Sequence, residues 1–439
     1  MRKPPTHPSM AKSMQNLIHR TAGFLNEDVL KIPNRRFVPD CLYQRVVSGN
    51  NLQLLGCRHT KLQGSSIAFD PEQCLKAAMG EFVERYAAAN YRSEEWAIGS
   101  MDGLGNGHRF LPLDCYRYYN QAQYQRLQAY GIKPLDREDI IAWTHARDYL
   151  SGETYTVPAF SIYLPYENDR CREATFMVGS TSTGIAAGAS TQDALISGFC
   201  ECAERHAFAQ FWYRQEHVSY KQYTSALIRR YYKGDKRVQQ LFGNPHVAMK
   251  AFDLSPFSPI ETMVVFLYFT YKGRLYQSLG CAARFSKRDA LVKAALEAYQ
   301  GVEYAISLMD KQRLPEKMDL SNIHDFDAHF HFYNQYPDCR KSSKILREAQ
   351  DWEHGDDNIF QDEKKIGQKF CIEDLRAMGL SYLLYKDITP IDVAAIPYRV
   401  LRVVTPSWAL LTGQHEWPFL GQVFGEDEDL FLTYPHPFP

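Results

Sequence analysis

Apolar and polar positions along the chain predict long helices of unusual composition. The first has a core-facing stripe at i, i+4, i+7 and i+11, formed by Leu75, Met79, Phe82 and Tyr86. Its opposite side, where a surface helix is charged, is mostly small and apolar and includes Cys74, Ala77, Ala78, Gly80 and Ala88. The second repeats this composition with Ala194, Ser197, Gly198, Cys200 and Phe208. A helix that is apolar nearly all round is typical of a buried position.

These helices belong to a unit that occurs three times with fixed spacing. Each copy has a glycine, an Asp or Ser six residues later, a Leu at eleven and a Glu at seventeen. Asp and Ser are preferred helix N-caps, and the third residue after each resembles a capping box. We therefore expect a strand, a glycine turn, an N-cap and a helix in each copy. The copies are Gly64, Asp70, Leu75 and Glu81; Gly184, Ser190, Leu195 and Glu201; and Gly280, Ser286, Leu291 and Glu297.

Each helix carries a second polar residue three positions after its glutamate. The pairs are Glu81 with Glu84, Glu201 with Glu204, and Glu297 with Gln300. Residues three apart share a helical face, and buried carboxylates do not stay ionised without cations. Two such helices would offer four hard oxygen ligands, which suit Mg²⁺ with a polyphosphate completing its coordination. The alternative, an ordinary solvated face, conflicts with the apolar surroundings.

The remaining pattern predicts a mixed α/β (α+β) chain. We expect strands at Gln44–Ser48, Leu52–Cys57, Thr175–Gly179, Leu383–Tyr385 and Tyr398–Val404. We expect hairpins at Leu150–Glu153 and between Met263–Thr270 and Arg274–Leu279, and a helical stretch at Cys115–Tyr130. Residues 310–372 are polar and read as an irregular surface insertion or lid. The predicted organisation is an N-terminal segment 1–59, a catalytic domain 60–410 and a tail 411–439.

Composition excludes several classes of protein. The net charge of −1 gives no global electrostatic basis for binding nucleic acid or an anionic membrane. The ten cysteines include no C-x-x-C pair, which favours reduced thiols in the cytosol over a disulfide framework or zinc site. The N-terminus has no apolar signal segment and the chain has no long apolar run, so we expect a soluble, cytoplasmic protein.

Two other metal sites are disfavoured. His324, His329 and His331 lie in the sequence HDFDAHFHF but do not have zinc-ligand spacing, so we expect a solvated loop. A di-iron carboxylate centre would need E-x-x-H steps where this chain has E-x-x-E.

Several motifs in order resemble the YcaO superfamily. They are Glu81-x-x-Glu84-Arg85, Ser182-Thr183-Gly184 with Glu201-x-x-Glu204-Arg205, Glu297-x-x-Gln300, Asp387-Ile388-Thr389-Pro390 and Arg402-Val403-Val404-Thr405-Pro406. The resemblance covers residues 60 to 410 and implies a YcaO-type fold without a P-loop. The chain has no G-x-x-x-x-G-K-(S/T). It departs from the family pattern at Ala77, Thr183 and His206.

The resemblance also implies a site that binds ATP with Mg²⁺. Its metal ligands would be Glu81, Glu84, Glu201 and Glu204, and its nucleotide contacts Arg85, Asp193, Ser197, Arg205, Glu297 and Gln300. Two alternatives remain open. The arginines would be structural ion pairs of the adjacent glutamates, and Asp193 would be only a helix cap.

The chain ends in Pro435-His436-Pro437-Phe438-Pro439. By itself this is a stiff polyproline-like tail or a frayed end. Azoline-forming YcaO members have a similar proline-rich tail that reaches the active site. The resemblance therefore implies a cyclodehydratase subunit of a thiazole/oxazole-modified microcin synthetase. The terminal carboxylate of Pro439 is the candidate catalytic base, its pKa raised by desolvation.

The implied reaction converts Cys, Ser or Thr residues of a ribosomal precursor peptide to thiazoline or oxazoline by phosphorylating the amide oxygen. Two alternatives are thioamide or amidine formation and a non-catalytic nucleotide-binding scaffold. The implied partners are a precursor peptide with its leader, a leader-binding subunit resembling ubiquitin-activating enzymes, and a flavin-dependent azoline dehydrogenase. A homodimer within that hetero-oligomer is also implied, with no nucleic acid or membrane partner.

Overall fold

A computed structural model describes residues 25–439, apart from positions 27, 51, 56, 60, 178–180, 313, 357–369, 395–397, 422 and 426–433. Its strands are β1 Leu30–Ile32, β2 Tyr43–Ser48, β3 Gln63–Ala68, β4 Ala97–Gly99, β5 Ile141–Asp148, β6 Thr154–Pro158, β7 Ile185–Gly188, β8 Lys221–Thr224, β9 Ala248–Asp253, β10 Glu261–Tyr271, β11 Arg274–Arg284, β12 Leu384–Asp387 and β13 Arg399–Val404. Its α-helices are α1 Pro71–Ala89, α2 Met101–Leu104, α3 Gln121–Leu127, α4 Thr191–Tyr213, α5 Ser225–Tyr231, α6 Lys236–Phe242, α7 Lys287–Asp310, α8 Phe326–Gln335, α9 Lys344–Gln350, α10 Ile372–Ala377 and α11 Ile391–Ala394.

The strands form three antiparallel sheets, which confirms the mixed α/β class. Their orders are β1-β2-β3, β11-β10-β9-β8, and β4-β5-β12-β13-β7 with β6 added beside β5. The predicted β10–β11 hairpin is present, with Tyr271 opposite Arg274 next to the turn. The hairpin predicted at Leu150–Glu153 joins β5 to β6.

Each sheet ends in a strand that leads into one of the three long helices. Strand β3 leads into α1, β7 into α4 and β11 into α7. The predicted caps Asp70, Ser190 and Ser286 begin these helices, each accepting a hydrogen bond from the backbone N–H of the third residue after it. The three copies of the repeat therefore each belong to a different sheet.

The predicted glycine turn is wrong for two of the copies. Gly64 and Gly280 lie inside β3 and β11. A Cβ atom at Gly64 would overlap the carbonyl oxygen of Ala78 on α1, and one at Gly280 would overlap that of Ala294 on α7. These glycines therefore let a helix backbone approach its own strand closely. Gly184 precedes β7 with a φ of +83°, so here glycine also supplies a conformation that other residues rarely adopt.

Three local predictions differ from the structure. Leu52–Cys57 is not a strand, since Leu52–Leu55 form a 3₁₀ turn, and the strand before α1 is β3. Within Thr175–Gly179 only Thr175 makes an isolated β-bridge, to Ile132, and the strand of this copy is β7. Positions 178–180 lie outside the described residues. Cys115–Tyr130 contains the short helix α3 flanked by 3₁₀ turns. Short apolar runs have no clear period, which explains the wrong assignments.

The interpretation of 310–372 as an irregular surface insertion is wrong for its described residues. Helices α8 and α9 lie there, and Phe330, Phe332 and Tyr333 of α8 are almost fully buried. His329 and His331 are on the same helix and are buried as well, which corrects the predicted solvated loop. The average polarity of a long segment had concealed the apolar face of one helix. Its charge run at 362–365 lies outside the described residues.

The C-terminal residues are packed into the molecule. Pro435 to Phe438 are buried, and Phe438 belongs to a core cluster together with Phe208 of α4 and Phe332 of α8. The alternative of a frayed end is therefore wrong for the described end of the tail. No helix in the described ranges has the length and apolar character needed to cross a bilayer.

Candidate functional site

Five carboxylates of α1, α4 and α7 lie near one another, and three of them have raised pKa values. Burial, with Glu201 and Glu81 adding to it, raises the pKa of Glu84 to about 8. Burial also raises the pKa of Glu201, which interacts with Glu297 of the third copy. The pKa of Glu204 lies well above its ordinary value because of burial first and the charge of Glu297 second. Buried carboxylates of this kind are suited to binding cations.

Backbone N–H groups of the repeat strands hold the glutamates in place. Ser65 on β3 donates to Glu81 Oε2 at 2.6 Å, and Ala187 on β7 donates to Glu84 Oε1 at 2.8 Å. Gly184 N–H lies 3.4 Å from Glu201 Oε2. Because Glu84 is on α1 and its donor is on β7, this hydrogen bond joins the first copy of the repeat to the second.

The third copy is joined to the first through a serine. Gln300 Nε2 on α7 donates to Ser65 Oγ at 2.9 Å, and the same serine holds Glu81. Glu297 forms an ion pair with Lys293 one turn earlier, at 3.1 Å. Sequence reasoning missed Ser65, because a single serine within a strand gives no spacing signal for the helices that it contacts.

The two predicted arginines form ion pairs with the glutamates. Arg85 contacts Glu81 Oε1 at 2.6 Å and is half exposed. Arg205 lies 3.6 Å from Glu201 and 3.4 Å from Glu204. Its Nε is the atom nearest Glu204 Oε1, but the contact does not have hydrogen-bond geometry. Both arginines therefore make the structural ion pairs of the alternative interpretation. Phosphate contact by either residue stays a prediction.

The remaining predicted nucleotide contacts are exposed. Asp193 accepts a hydrogen bond from Ser190 Oγ at 2.8 Å, and its backbone N–H donates to the same oxygen at 3.1 Å, so Ser190 is the cap and Asp193 is its partner. Ser197 lies one turn before Glu201 on α4 and is also exposed. A ligand role for these two residues stays a prediction.

Arg402, which begins the motif Arg402–Pro406, is a second residue that sequence reasoning did not assign to the site. It is 7% exposed on β13 and donates to the carbonyls of Ser161 at 3.1 Å and Thr181 at 2.9 Å. Burial lowers its pKa, and Glu201 is among the groups that oppose this. It lines a cavity of about 40 Å³ together with Thr181, Thr183 and Cys202. An arginine between the apolar residues Leu401 and Val403 was the available signal, since such a cation needs a partner.

The C-terminal tail reaches the same region. The ring of Phe438 lies 4.1 Å from the guanidinium carbon of Arg205. Pro439, the predicted catalytic base, is the exposed residue that follows. The catalytic role of its carboxylate stays a prediction.

The donor set fits Mg²⁺ bound together with a phosphate ligand. Among the described residues, no group of three or more acidic, histidine or cysteine side chains is arranged to hold a metal unaided. The glutamates instead lie in pairs beside Arg85 and Arg205, and burial raises the pKa of Glu84, Glu201 and Glu204. Mg²⁺ is commonly held by one or two carboxylates plus substrate phosphates and water, which matches paired glutamates. Glu81, Glu84, Glu201 and Glu204 are the residues that would hold it.

Comparison with known proteins gives the family. A family model described as YcaO cyclodehydratase, ATP- and Mg²⁺-binding, matches residues 66–409. A comparison with curated protein sequences found no match.

Three solved structures have the same fold. A heterocyclase in complex with substrate and cofactor is 19% identical with a TM-score of 0.67, over 98% of this chain and 57% of its own. YcaO from Methanopyrus kandleri bound with AMPPCP and Mg²⁺ is 16% identical with a TM-score of 0.58, over 95% and 92%. A chain of the E. coli microcin synthetase McbBCD complex with pro-MccB17 bound is 15% identical with a TM-score of 0.63, over 95% and 99%. This chain thus spans little more than half of the first structure. Because the family model covers most of the sequence, the protein belongs to the YcaO cyclodehydratase family.

Proposed function

We propose that this protein is an ATP-dependent cyclodehydratase that converts Cys, Ser or Thr residues of a precursor peptide to thiazoline or oxazoline. The observation that carries the proposal is the carboxylate cluster, in which Glu81, Glu84, Glu201, Glu204 and Glu297 converge from three helices. Such a cluster needs cations, and a nucleotide with Mg²⁺ is the ligand that brings them together with phosphate oxygens.

The residues of the cluster have separate tasks. The four glutamates of α1 and α4 hold the metal, and Mg²⁺, when bound, neutralises charge on the transferred phosphate. Arg205, beside Glu201 and Glu204, contacts a phosphate oxygen with its guanidinium, and Arg85 reaches the outer side of the site. Gln300 acts through Ser65, which fixes the Glu81 carboxylate. Asp193 and Ser197 contact the nucleotide from the exposed side of α4.

The substrate supplies its own nucleophile. Its thiol or hydroxyl attacks the preceding backbone carbonyl, and the resulting oxyanion takes the γ-phosphoryl group of ATP. Phosphate then leaves with the former carbonyl oxygen as the ring nitrogen loses its proton and the C=N bond forms, so the peptide loses one water and ATP becomes ADP and phosphate. The Pro439 carboxylate accepts the proton of the nucleophile, and desolvation would raise its pKa toward the working pH.

Two similar structures support this assignment. The Methanopyrus kandleri YcaO holds AMPPCP and Mg²⁺, and a heterocyclase holds substrate and cofactor. The present chain has the glutamate pairs and the arginines that such a nucleotide site needs.

The proposed partners are those of an assembly that contains a chain of similar fold, the E. coli microcin synthetase McbBCD complex with pro-MccB17 bound. We propose that a leader-binding subunit, resembling ubiquitin-activating enzymes, presents the peptide. A flavin-dependent dehydrogenase would oxidise the azolines, and two copies of this chain would form a homodimer within the complex.

The test is phosphate release that depends on a leader-bearing peptide rich in Cys and Ser, measured with the partner subunit present. Loss of one water per ring by mass spectrometry identifies azolines, whereas exchange of oxygen for sulfur identifies a thioamide. ATP turnover without a change in peptide mass, or no turnover at all, would refute the proposal and favour the scaffold alternative.

A further inference from the structure

The end of the chain is fixed by contacts well before its last residue. Tyr333 Oη donates to the carbonyl of Pro435 at 2.7 Å. His436 Nε2–H donates to the carbonyl of Thr412 at 3.1 Å, and its ring stacks on His329 of α8 at a centroid distance of 4.0 Å. His329 Nδ1–H in turn donates to the His436 carbonyl at 3.1 Å. The tail therefore enters the molecule in one defined position.

This anchoring places the ring of Phe438 between two groups of α4. One edge meets Phe208 at a centroid distance of 4.6 Å and an interplanar angle of 71°. The face lies under Arg205, whose guanidinium carbon is 4.1 Å from the centroid. Phe438 is 2% exposed, so this cation–π contact is largely shielded from water.

Arg205 is the residue whose position matters most for the carboxylates of α4. It lies within ion-pair distance of both Glu201 and Glu204, yet its buried Nε–H makes no hydrogen bond. Its contacts with the carboxylates are long, at 3.4 to 3.6 Å, and do not by themselves fix the guanidinium. The aromatic face of Phe438 restricts it from the other side.

We propose that Phe438 is a positioning residue, whose ring holds the Arg205 guanidinium against Glu201 and Glu204 so that it meets a phosphate oxygen of the nucleotide. The assignment of that ligand rests on the proposed function. The tail would then have two separate effects, nucleotide affinity through Phe438 and cyclisation through the carboxylate of Pro439.

The test is the affinity for AMPPCP with Mg²⁺, measured by calorimetry on the full chain, alongside KM and kcat for ATP. Phe438→Leu should weaken binding about two- to thirtyfold, the range of a shielded cation–π contact. KM for ATP should rise by the same factor, and Phe438→Tyr, which keeps the ring, should restore affinity. Phe424→Leu is the matched control, because Phe424 lies under Arg214 at 5.2 Å in the same core cluster. It should bind as the wild type does.

A double-mutant cycle decides whether the ring acts through Arg205. In an Arg205→Met background, Phe438→Leu should cause no further loss of affinity. Equal losses in both backgrounds, equal losses for Phe438→Leu and Phe424→Leu, or wild-type affinity for Phe438→Leu would each overturn the inference while leaving the proposed function intact. A wild type that does not bind the nucleotide would overturn both.

Discussion

At the scale of single residues, Glu84 shows how burial and function are connected. Its carboxyl accepts a hydrogen bond from Ala187 and still has a pKa of about 8, because burial outweighs that hydrogen bond. In the ligand-free protein it is therefore neutral at physiological pH. A cation bound nearby would favour the ionised form and release the proton.

Glu84→Gln should abolish ATP turnover without loss of the fold, because glutamine imitates the protonated carboxyl but offers no charge to a metal. The pKa of Glu84 is raised, so its contribution to stability is fully present below pH 4.5 and is lost as pH rises to about 8. The ligand-free wild type should therefore become less stable relative to Glu84→Gln across this range. Phosphate release and thermal unfolding measure the two effects.

The control for this variant is Glu72→Gln, on the exposed first turn of the same helix, where Glu72 pairs with Lys76. It should keep wild-type turnover. Wild-type turnover by folded Glu84→Gln would remove Glu84 from the metal site.

At the scale of the element, the repeat depends on contact between each strand and its own helix. Gly64→Ala should destabilise the protein by roughly 1–3 kcal/mol or more, the usual cost of forcing extra atoms into a packed interior. The added methyl would overlap the backbone of α1, which cannot move without displacing Glu81 and Glu84. Chemical denaturation measures the loss. Gly234→Ala is the control, since nothing lies near the added methyl there. Equal stability of the two variants would contradict the packing argument.

The second element is the C-terminal tail, whose docking should depend on pH. Burial lowers the pKa of His436 to about 3, against the hydrogen bond to Thr412 and with His415 and Arg205 adding to the effect. His329, stacked on it, has its pKa lowered as well, first by burial. Histidines with depressed pKa values contribute stability above pH 6.5, which is lost as pH falls toward 3. Acidification should therefore weaken docking of the tail.

His436→Gln keeps a donor for the Thr412 carbonyl and does not titrate. As pH falls below 6.5, thermal unfolding should show the wild type losing stability relative to this variant. His354→Gln is the control. The hydrogen bond to Asp351 raises the pKa of His354, so the wild type should gain stability relative to His354→Gln as pH falls. A difference between wild type and His436→Gln that does not change with pH would show that the buried pair does not control docking.

Two residues added after Pro439 should separate the two effects of the tail. Phe438 keeps its place under Arg205, so the affinity for AMPPCP with Mg²⁺ should be unchanged. The terminal carboxylate moves away from the site, so azoline formation should slow severely. Mass loss of the peptide measures the rate, and equal rates for the native and extended chains would remove Pro439 from the mechanism.

At the scale of the whole molecule, three sheets and three helices converge on one cluster of carboxylates. Hydrogen bonds from Ala187 to Glu84 and from Gln300 to Ser65 join the copies across the site. A displacement of any one helix therefore shifts carboxylates on the others, so the cluster forms only when the three copies of the repeat are packed together.

We expect the chain alone to form azolines slowly. Presentation of the peptide by a partner makes its attack on the site effectively intramolecular, a gain on the order of a hundredfold. The measurement is the rate of ring formation with and without the partner subunit, using Glu84→Gln with the partner as the inactive control. Full-rate ring formation by the single chain would contradict the proposed division of labour.

Local patterns are enough to predict the start of the three long helices and which polar residues share a face of each helix. Asp70, Ser190 and Ser286 were identified as caps because capping involves residues three apart, and the glutamate pairs because helical faces repeat at short range. The β10–β11 hairpin followed from a turn flanked by apolar runs. These features depend on residues that are close together in the sequence, so the sequence alone is enough to predict them.

Only the tertiary structure decided the rest, because the contacts involved join residues far apart in sequence. From the sequence Gly64 resembles a turn residue, but in the structure it lies in a strand against which α1 packs closely. The hydrogen-bond donor to Glu84 is Ala187 on β7, which is far from it in sequence. His329 belongs to a polar segment, yet α8 turns it toward His436 in the core. The sequence by itself determined which carboxylates pair on each helix. The packing of the three copies determined that they share one site, and the burial of the tail determined that Phe438 reaches Arg205.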